Sequence, residues 1–257
     1  MNTSTLFGSS ESLLSCIGDA ADAGFEFFGA DVWTLDTWRA RGGSLHELRA
    51  LMRRRHVECW HVAALIVTGS EGVVRQAEHI GQWAADLSAR WVVTNVLHPP
   101  DEGLVHELER AAQVLNGFGS RMALEYVPYS PLSSVVAAAE LAERLGSARA
   151  GVMCDTWHHF RGPDTPDDLR ALALQSLAYV EFDDALPMVS TDLRLETRDR
   201  RTFPGGGEFR LDEFVSTIKS KGFDGVVSVE VLSADWRSRN HREFAYRAFE
   251  SALRWWS

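Results

Sequence analysis

Short apolar runs alternate with longer amphipathic segments eight times along this chain, and that alternation restricts the fold more than any other feature. The runs Thr5–Phe7, Phe25–Val32, Val57–Ile66, Trp91–Leu97, Met122–Tyr126, Ala150–Asp155, Leu177–Asp183 and Val226–Val231 read as buried strands. Between and after them, Glu11–Ala23, Ser44–Arg55, Glu71–Ser88, Leu104–Phe118, Pro131–Leu145, Asp167–Leu174, Leu211–Lys221 and Arg242–Trp255 carry apolar residues at helical spacing. Gly24, Gly146 and Gly222 fall just past helical patterns, as C-terminal caps do. Such repetition means βα units and a parallel sheet. Eight units in 257 residues predict an α/β fold, a single (β/α)8 (TIM) barrel over residues 1–257, because such barrels run to about 250 residues as one unit. An open doubly wound sheet is the alternative. It loses ground because Ser9 and Ser10, not a glycine-rich phosphate loop, follow the first run.

Strand side chains alternate between faces with period two, so parity sorts each run into an outward and an inward row. Met122 and Leu124 oppose Ala123 and Glu125; Val152 and Cys154 oppose Met153 and Asp155. Val180 and Phe182 oppose Tyr179, Glu181 and Asp183; Val227, Val229 and Val231 oppose Ser228 and Glu230. Four strands thus place Glu125, Asp155, Glu181 and Glu230 on the interior face near their C-terminal ends, where barrel chemistry sits. Carboxylates crowded away from water must be protonated, paired with arginines or bound to a cation. The plainer outcome is that some cap loops or pair with Arg161 and Arg201. An all-oxygen set favours one hard divalent ion, manganese or magnesium; His158 in the set brings zinc, cobalt or iron into range.

The same parity puts Cys59, His61 and Ala63 on one face, so His61 could reach the mouth, against the commoner reading of a hydrogen-bonded core histidine. Asn95 ends the fourth run. Trp33, Trp60 and Trp157 stand at strand ends and could line an apolar substrate wall; Tyr126, Pro128 and Tyr129 read first as a rigid turn and second as such a wall. The one long irregular stretch, Asp184–Phe209, carries Arg194, Arg198, Arg200 and Arg201 and then Pro204 and Gly205–Gly207. A stretch of that length is expected to be a functional loop, here one that closes over substrate on a glycine hinge with Arg201 meeting an anionic or polar group.

A net charge of −10 makes nucleic acid a poor partner. No run reaches 18 apolar residues, so no membrane partner is expected, and MNTSTLFGSS lacks the pattern of a signal peptide. Cys16, Cys59 and Cys154 lie far apart among apolar neighbours, which predicts buried inert thiols and a cytoplasmic location.

The stretches ALEYVPYS, GVMCDTWHHFRG, YVEFDDA, RTFPGGGEFRLDEF and GFDGVVSVEV together resemble the xylose isomerase-like TIM-barrel superfamily, in its sugar phosphate isomerase/epimerase branch. That family is related to the inosose and dehydroshikimate dehydratases. The resemblance implies one divalent metal on Glu125, Asp155, Glu181 and Glu230, with His158 touching substrate and Arg201, before the Pro-Gly motif, meeting a substrate oxygen or anion. Two positions depart from the family pattern. Glu181 stands where His or Gln is usual, and Gly29, with Asp31 two residues on, stands where a strand-end Glu is often found.

Three functions follow. The first is an isomerase or epimerase acting on a small polyhydroxylated carbonyl compound, with Glu125 and Glu230 as opposed acid and base and the metal holding an enediolate. His158, Arg201, His61, Trp157 and Asn95 would serve the substrate. The second is a dehydratase of a cyclic polyhydroxy ketone, in which the same enolate expels water. The third is a metal-free barrel serving as a binding or partner subunit, which the extra charge of Glu181 raises. An apurinic endonuclease, from a more distant branch, fits least. Assembly as a homodimer or homotetramer stays open.

Overall fold

The structure is a computed structural model describing residues 1–3 and 12–257. The predicted strand Thr5–Phe7 and the first residue of the predicted helix Glu11–Ala23 lie outside the described residues. The chain runs α1 (Leu13–Ala23), β1 (Phe27–Asp31), α2 (Val32–Ala40), α3 (Leu45–Arg55), β2 (Glu58–Val67), α4 (Val73–Leu87), β3 (Trp91–Val96), α5 (Glu102–Gly117) and β4 (Arg121–Glu125). It continues through α6 (Val135–Leu145), β5 (Ala150–Asp155), α7 (Thr156–Arg161), α8 (Pro166–Ala171), a 3₁₀ turn at Leu174–Ser176 and β6 (Leu177–Phe182). Last come β7 (Asp184–Ala185), α9 (Leu193–Asp199), β8 (Arg201–Thr202), α10 (Leu211–Ser220), β9 (Val227–Val229) and α11 (His241–Trp256).

Seven parallel strands pair in the order β1-β2-β3-β4-β5-β6-β9. The ring is drawn shut by Met1 and Asn2. Asn2 N–H donates to Val229 O at 3.0 Å, and Gly29 N–H donates to Met1 O at 2.9 Å. This is a TIM barrel, as the alternation predicts, but the position between β9 and β1 is taken by Met1–Asn2.

The parity reading holds. Met122, Leu124, Val152, Cys154, Val180 and Phe182 pack outward into the main core beneath the helices. Ala123, Met153 and Tyr179 share a separate cluster inside the barrel with Ala63, Trp91 and Val93. Each fully buried aliphatic side chain contributes about 1.5–3 kcal/mol, so the outward rows supply much of the stability while the inward rows position the chemistry.

Two features depart from the sequence reading. Residues 32–40 form α2, which the periodicity does not show, because Leu35 is its one fully buried side chain. The start signal is nonetheless present: Asp31 caps the helix, accepting from Thr34 N–H at 2.8 Å. Trp33 therefore rides on α2, 55% exposed, and is no strand-end wall. The stretch after β6 is also not structureless. β7 and β8 pair antiparallel, with α9 between them. The Asp184 carboxylate gathers the backbone N–H groups of Ala185, Gly205, Gly207 and Phe209. A Cβ at Gly207 would fall 2.2 Å from Ala185 O, so that turn requires glycine for a close approach, and the triple glycine wraps a buried carboxylate.

His61 sits lower in the barrel than predicted. It pairs in register with Gly29, is fully buried, and stacks on Tyr179 with ring centroids 5.0 Å apart. A Cβ at Gly29 would lie 2.0 Å from His61 Nε2. The missing strand-end side chain at Gly29 is thus the space His61 fills. Gly29→Ala should lower stability by about 1–3 kcal/mol through overpacking. An unchanged urea midpoint would show instead that the ring moves aside.

Candidate active site

At the C-terminal mouth of the strands, a cavity of about 310 Å³ is lined by Glu125, Glu181 and Glu230 with Asn2, Asn95, His158 and Arg201. Each polar group arrives for a local reason. Glu125 is the last residue of β4. Asn95, its partner in register on β3, donates from Nδ2 to Glu125 Oε2 at 2.6 Å, and His158 Nε2 lies 2.9 Å from Oε1. Asp155 ends β5 and caps α7: its Oδ1 accepts from the backbone N–H groups of Trp157 and His158, at 2.6 and 3.1 Å. That cap swings His158 back over the sheet, which is why a histidine three residues beyond a strand enters the site.

Arg201 is 2% exposed and already engaged. Its Nη1 lies 2.8 Å from Asp155 Oδ2, 2.7 Å from Asp183 Oδ2 and 3.2 Å from Glu230 Oε2. Nη2 donates to Thr197 Oγ1 at 2.8 Å. Arg201 is therefore brought into the site, but as the internal counter-ion of three carboxylates, the pairing foreseen as the plainer outcome. Arg161 instead turns outward to Glu208. Trp157 is buried beneath the guanidinium, 5.6 Å from Arg201 Cζ, and is no cavity wall. His61 reaches the site only from below, its Nε2 3.7 Å from Glu181 Oε1.

Three contributors escaped the sequence reading. Asn2 Nδ2 donates to Oε1 of both Glu181 and Glu230, at 2.9 and 2.7 Å. Asp183 anchors Arg201 and is bonded to Thr156. Thr197 orients the guanidinium from α9. The parity of the sixth strand already turned Asp183 inward; Asn2 and Thr197 carried no signal.

The electrostatics are those of an acid-rich cavity. Burial, and then repulsion from Glu230 and Glu125, push the Glu181 carboxyl well above its ordinary range. Burial likewise raises Asp183 well above that range despite Arg201, and lifts Glu230 to about 7. Burial also acts to raise Asp155, but Arg201 and His158 outweigh it and hold that carboxyl below its usual value. The neutral state of His61, with its pKa lowered to about 3, follows from burial. Cys154 is pushed up to about 12 by burial, consistent with an inert thiol.

Among the described residues, ligand atoms close enough for one ion fall into two overlapping groups. Glu125, Asp155 and His158 form one, and Asp155, Glu181 and Glu230 the other, each with its atoms within 4.8 Å of one another. The four expected carboxylates are thus split between two groups that share Asp155, and His158 joins the first. Oxygen donors with one imidazole, crowded and short of positive charge, fit a divalent cation.

A parallel barrel with its polar cluster at the strand C-termini defines the class. The chain belongs to the xylose isomerase-like TIM barrel family, whose sequence model matches residues 17–255. Among curated relatives, the inosose isomerase of Halalkalibacterium halodurans is 23% identical over 209 residues, covering 75% of this chain and 73% of that protein. The 3-dehydroshikimate dehydratase of Pseudomonas aeruginosa is 28% identical over 114 residues, covering 44% of this chain but only 18% of that longer protein. Among solved structures, the IOLI protein with a bound zinc atom superposes with a TM-score of 0.89 at 18% identity, over 99% of this chain and 96% of that one. A D-allulose 3-epimerase from Methylomonas gives 0.75 at 15% identity, over 98% and 96%. At these identities the structural matches speak for the fold. Among the described residues, no helix is long and apolar enough to cross a membrane.

Proposed function

We propose that this barrel is a divalent-metal-dependent isomerase or epimerase that removes a proton α to the carbonyl of a small sugar-like compound. The carrying observation is the pair of ligand groups sharing Asp155 at the mouth, with Glu125 at the end of β4 and Glu230 just past β9 at either side. The relatives, which include an inosose isomerase, support the reaction class. Glu125, Asp155, Glu181 and Glu230, with His158 beside them, would hold the ion, which when bound supplies Lewis-acid polarisation of a carbonyl.

The chain's own groups do the rest. Glu125 takes the α-proton, its two oxygens aimed by Asn95 and His158. Glu230, set by Asn2 and Arg201, returns a proton from the other side when it is off the ion and protonated; between turnovers Glu125 gives its proton to solvent and Glu230 regains one from it. Arg201 acts as a positioning residue, fixing Asp155 and Glu230 in one arrangement. A dehydratase remains the second reading, since His158, held on Glu125 at the cavity, can protonate a leaving hydroxyl. Proton NMR in deuterated water separates the two: α-deuteration with the hydroxyls retained marks the isomerase, and loss of a hydroxyl marks the lyase.

Metal binding should release about one proton or more per ion at pH 7, because Glu230 lies near 7 and Glu181 above its ordinary range. Both carboxyls must ionise to serve as ligands, so affinity for manganese should rise with pH through that region. Calorimetry in buffers of different ionisation heat reads this directly. No manganese binding at millimolar concentration would favour the metal-free binding subunit.

A further inference from the structure

The acidic groups of the cavity stand on one side only. Glu125, His158, Glu181 and Glu230 stand on the sector built by β4, α7, β6 and the strand end after β9. In the ring order, β2 lies across from β6 and β3 across from β9. That facing sector, apart from Asn95 beside Glu125, presents Ala63, Ile66, Val93 and Leu97, with Val127 and Leu232 at its flanks. Ile66 and Leu97 are 47% and 39% exposed at the rim, a poor use of large aliphatic side chains unless something covers them. The two sides thus ask for different chemistry: donors and acceptors for one edge of a ligand, plain hydrocarbon for the other.

From this two-sidedness we infer that the substrate carries its hydroxyl and carbonyl groups along one edge and a bare hydrocarbon edge opposite, as in a deoxygenated or partly unsaturated ring, and is not hydroxylated all round. The inference rests on the proposed α-hydroxycarbonyl chemistry and narrows its substrate class. A hydroxyl turned to the Ile66–Leu97 wall gives up its hydrogen bonds to water and, among the described residues of that wall, finds only the Asn95 amide, which is already bonded to Glu125. Apolar pockets reject an added hydroxyl by about a hundredfold at most, and that sets the scale of the effect.

Two neutral six-membered probes share the reacting pair and differ in the far edge: 2-hydroxycyclohexanone, whose remaining ring carbons are bare, and inosose, hydroxylated at each of them. Kd is read from paramagnetic broadening of probe protons by manganese bound to the intact protein. The bare ring is expected to bind about ten- to a hundredfold more tightly. Leu97→Asn and Ile66→Asn, both at exposed positions, should each shrink that ratio by about threefold or more. Equal binding, or preference for inosose in the unaltered protein, overturns the inference while leaving the reaction class intact. Failure of both probes to bind beside bound manganese, or to exchange the α-proton, overturns the reaction class and the inference with it.

Discussion

Glu125→Gln is expected to slow α-proton exchange by about 10²–10⁴-fold, the usual contribution of a positioned general base. The substitution removes the basic oxygen and disturbs its setting. Both carboxylate oxygens are engaged in the native arrangement, Oε2 with the Asn95 amide and Oε1 with His158 Nε2. A glutamine offers one acceptor and one donor where two groups approach, so the Asn95 contact is kept only if His158 Nε2 serves as acceptor. Manganese content measured alongside separates loss of the base from loss of the ion. Glu230→Gln should give a loss of similar size for epimerisation, with wash-in of deuterium on one face surviving. A wild-type rate in either variant, with the ion retained, would remove that residue from proton transfer.

The second large effect is on the fold. Arg201→Met should destabilise the metal-free protein by about 3–5 kcal/mol at pH 7.5, as expected when one member of a buried ionic network is removed. Asp155, Asp183 and Glu230 would be left without their shared guanidinium in a cavity where burial already raises the last two. A carboxyl whose folded pKa lies above its unfolded value favours folding below the unfolded value, and that advantage is lost as pH rises through the folded one. The deficit should therefore be small near pH 4 and grow steadily to pH 8, the reverse of ordinary acid sensitivity. Manganese should recover part of it by replacing the missing positive charge. Urea unfolding at several pH values measures both. A flat pH profile would show that Arg201 stabilises through packing on Trp157 instead.

What was legible in the amino-acid order was everything that repeats locally. The eightfold alternation announced a barrel, and period-two parity turned Glu125, Asp155, Glu181 and Glu230 inward at the right ends of their strands. α2 escaped because a helix with one buried residue has no stripe to read, and the β7–β8 pair because two-residue strands are too short for an alternation to show. His61 was assigned the correct face but the wrong depth, since parity says nothing of height along the barrel axis.

Function turned on a different kind of information. Asn2 meets Glu181 and Glu230 across separations of 179 and 228 residues, and Arg201 meets Asp155 across 46. No local pattern encodes such pairs; they exist because hydrogen bonds from Met1 and Asn2 draw the ring shut and Asp184 ties the returning loop. The sequence by itself determined which residues face the interior, because side-chain direction follows from backbone geometry one residue at a time. Only the tertiary structure decided which of those carboxylates lie close enough to share a cation, which are paired with Arg201, and that Ala63, Ile66, Val93 and Leu97 line the cavity with them, because those depend on distances set by closure of the whole ring.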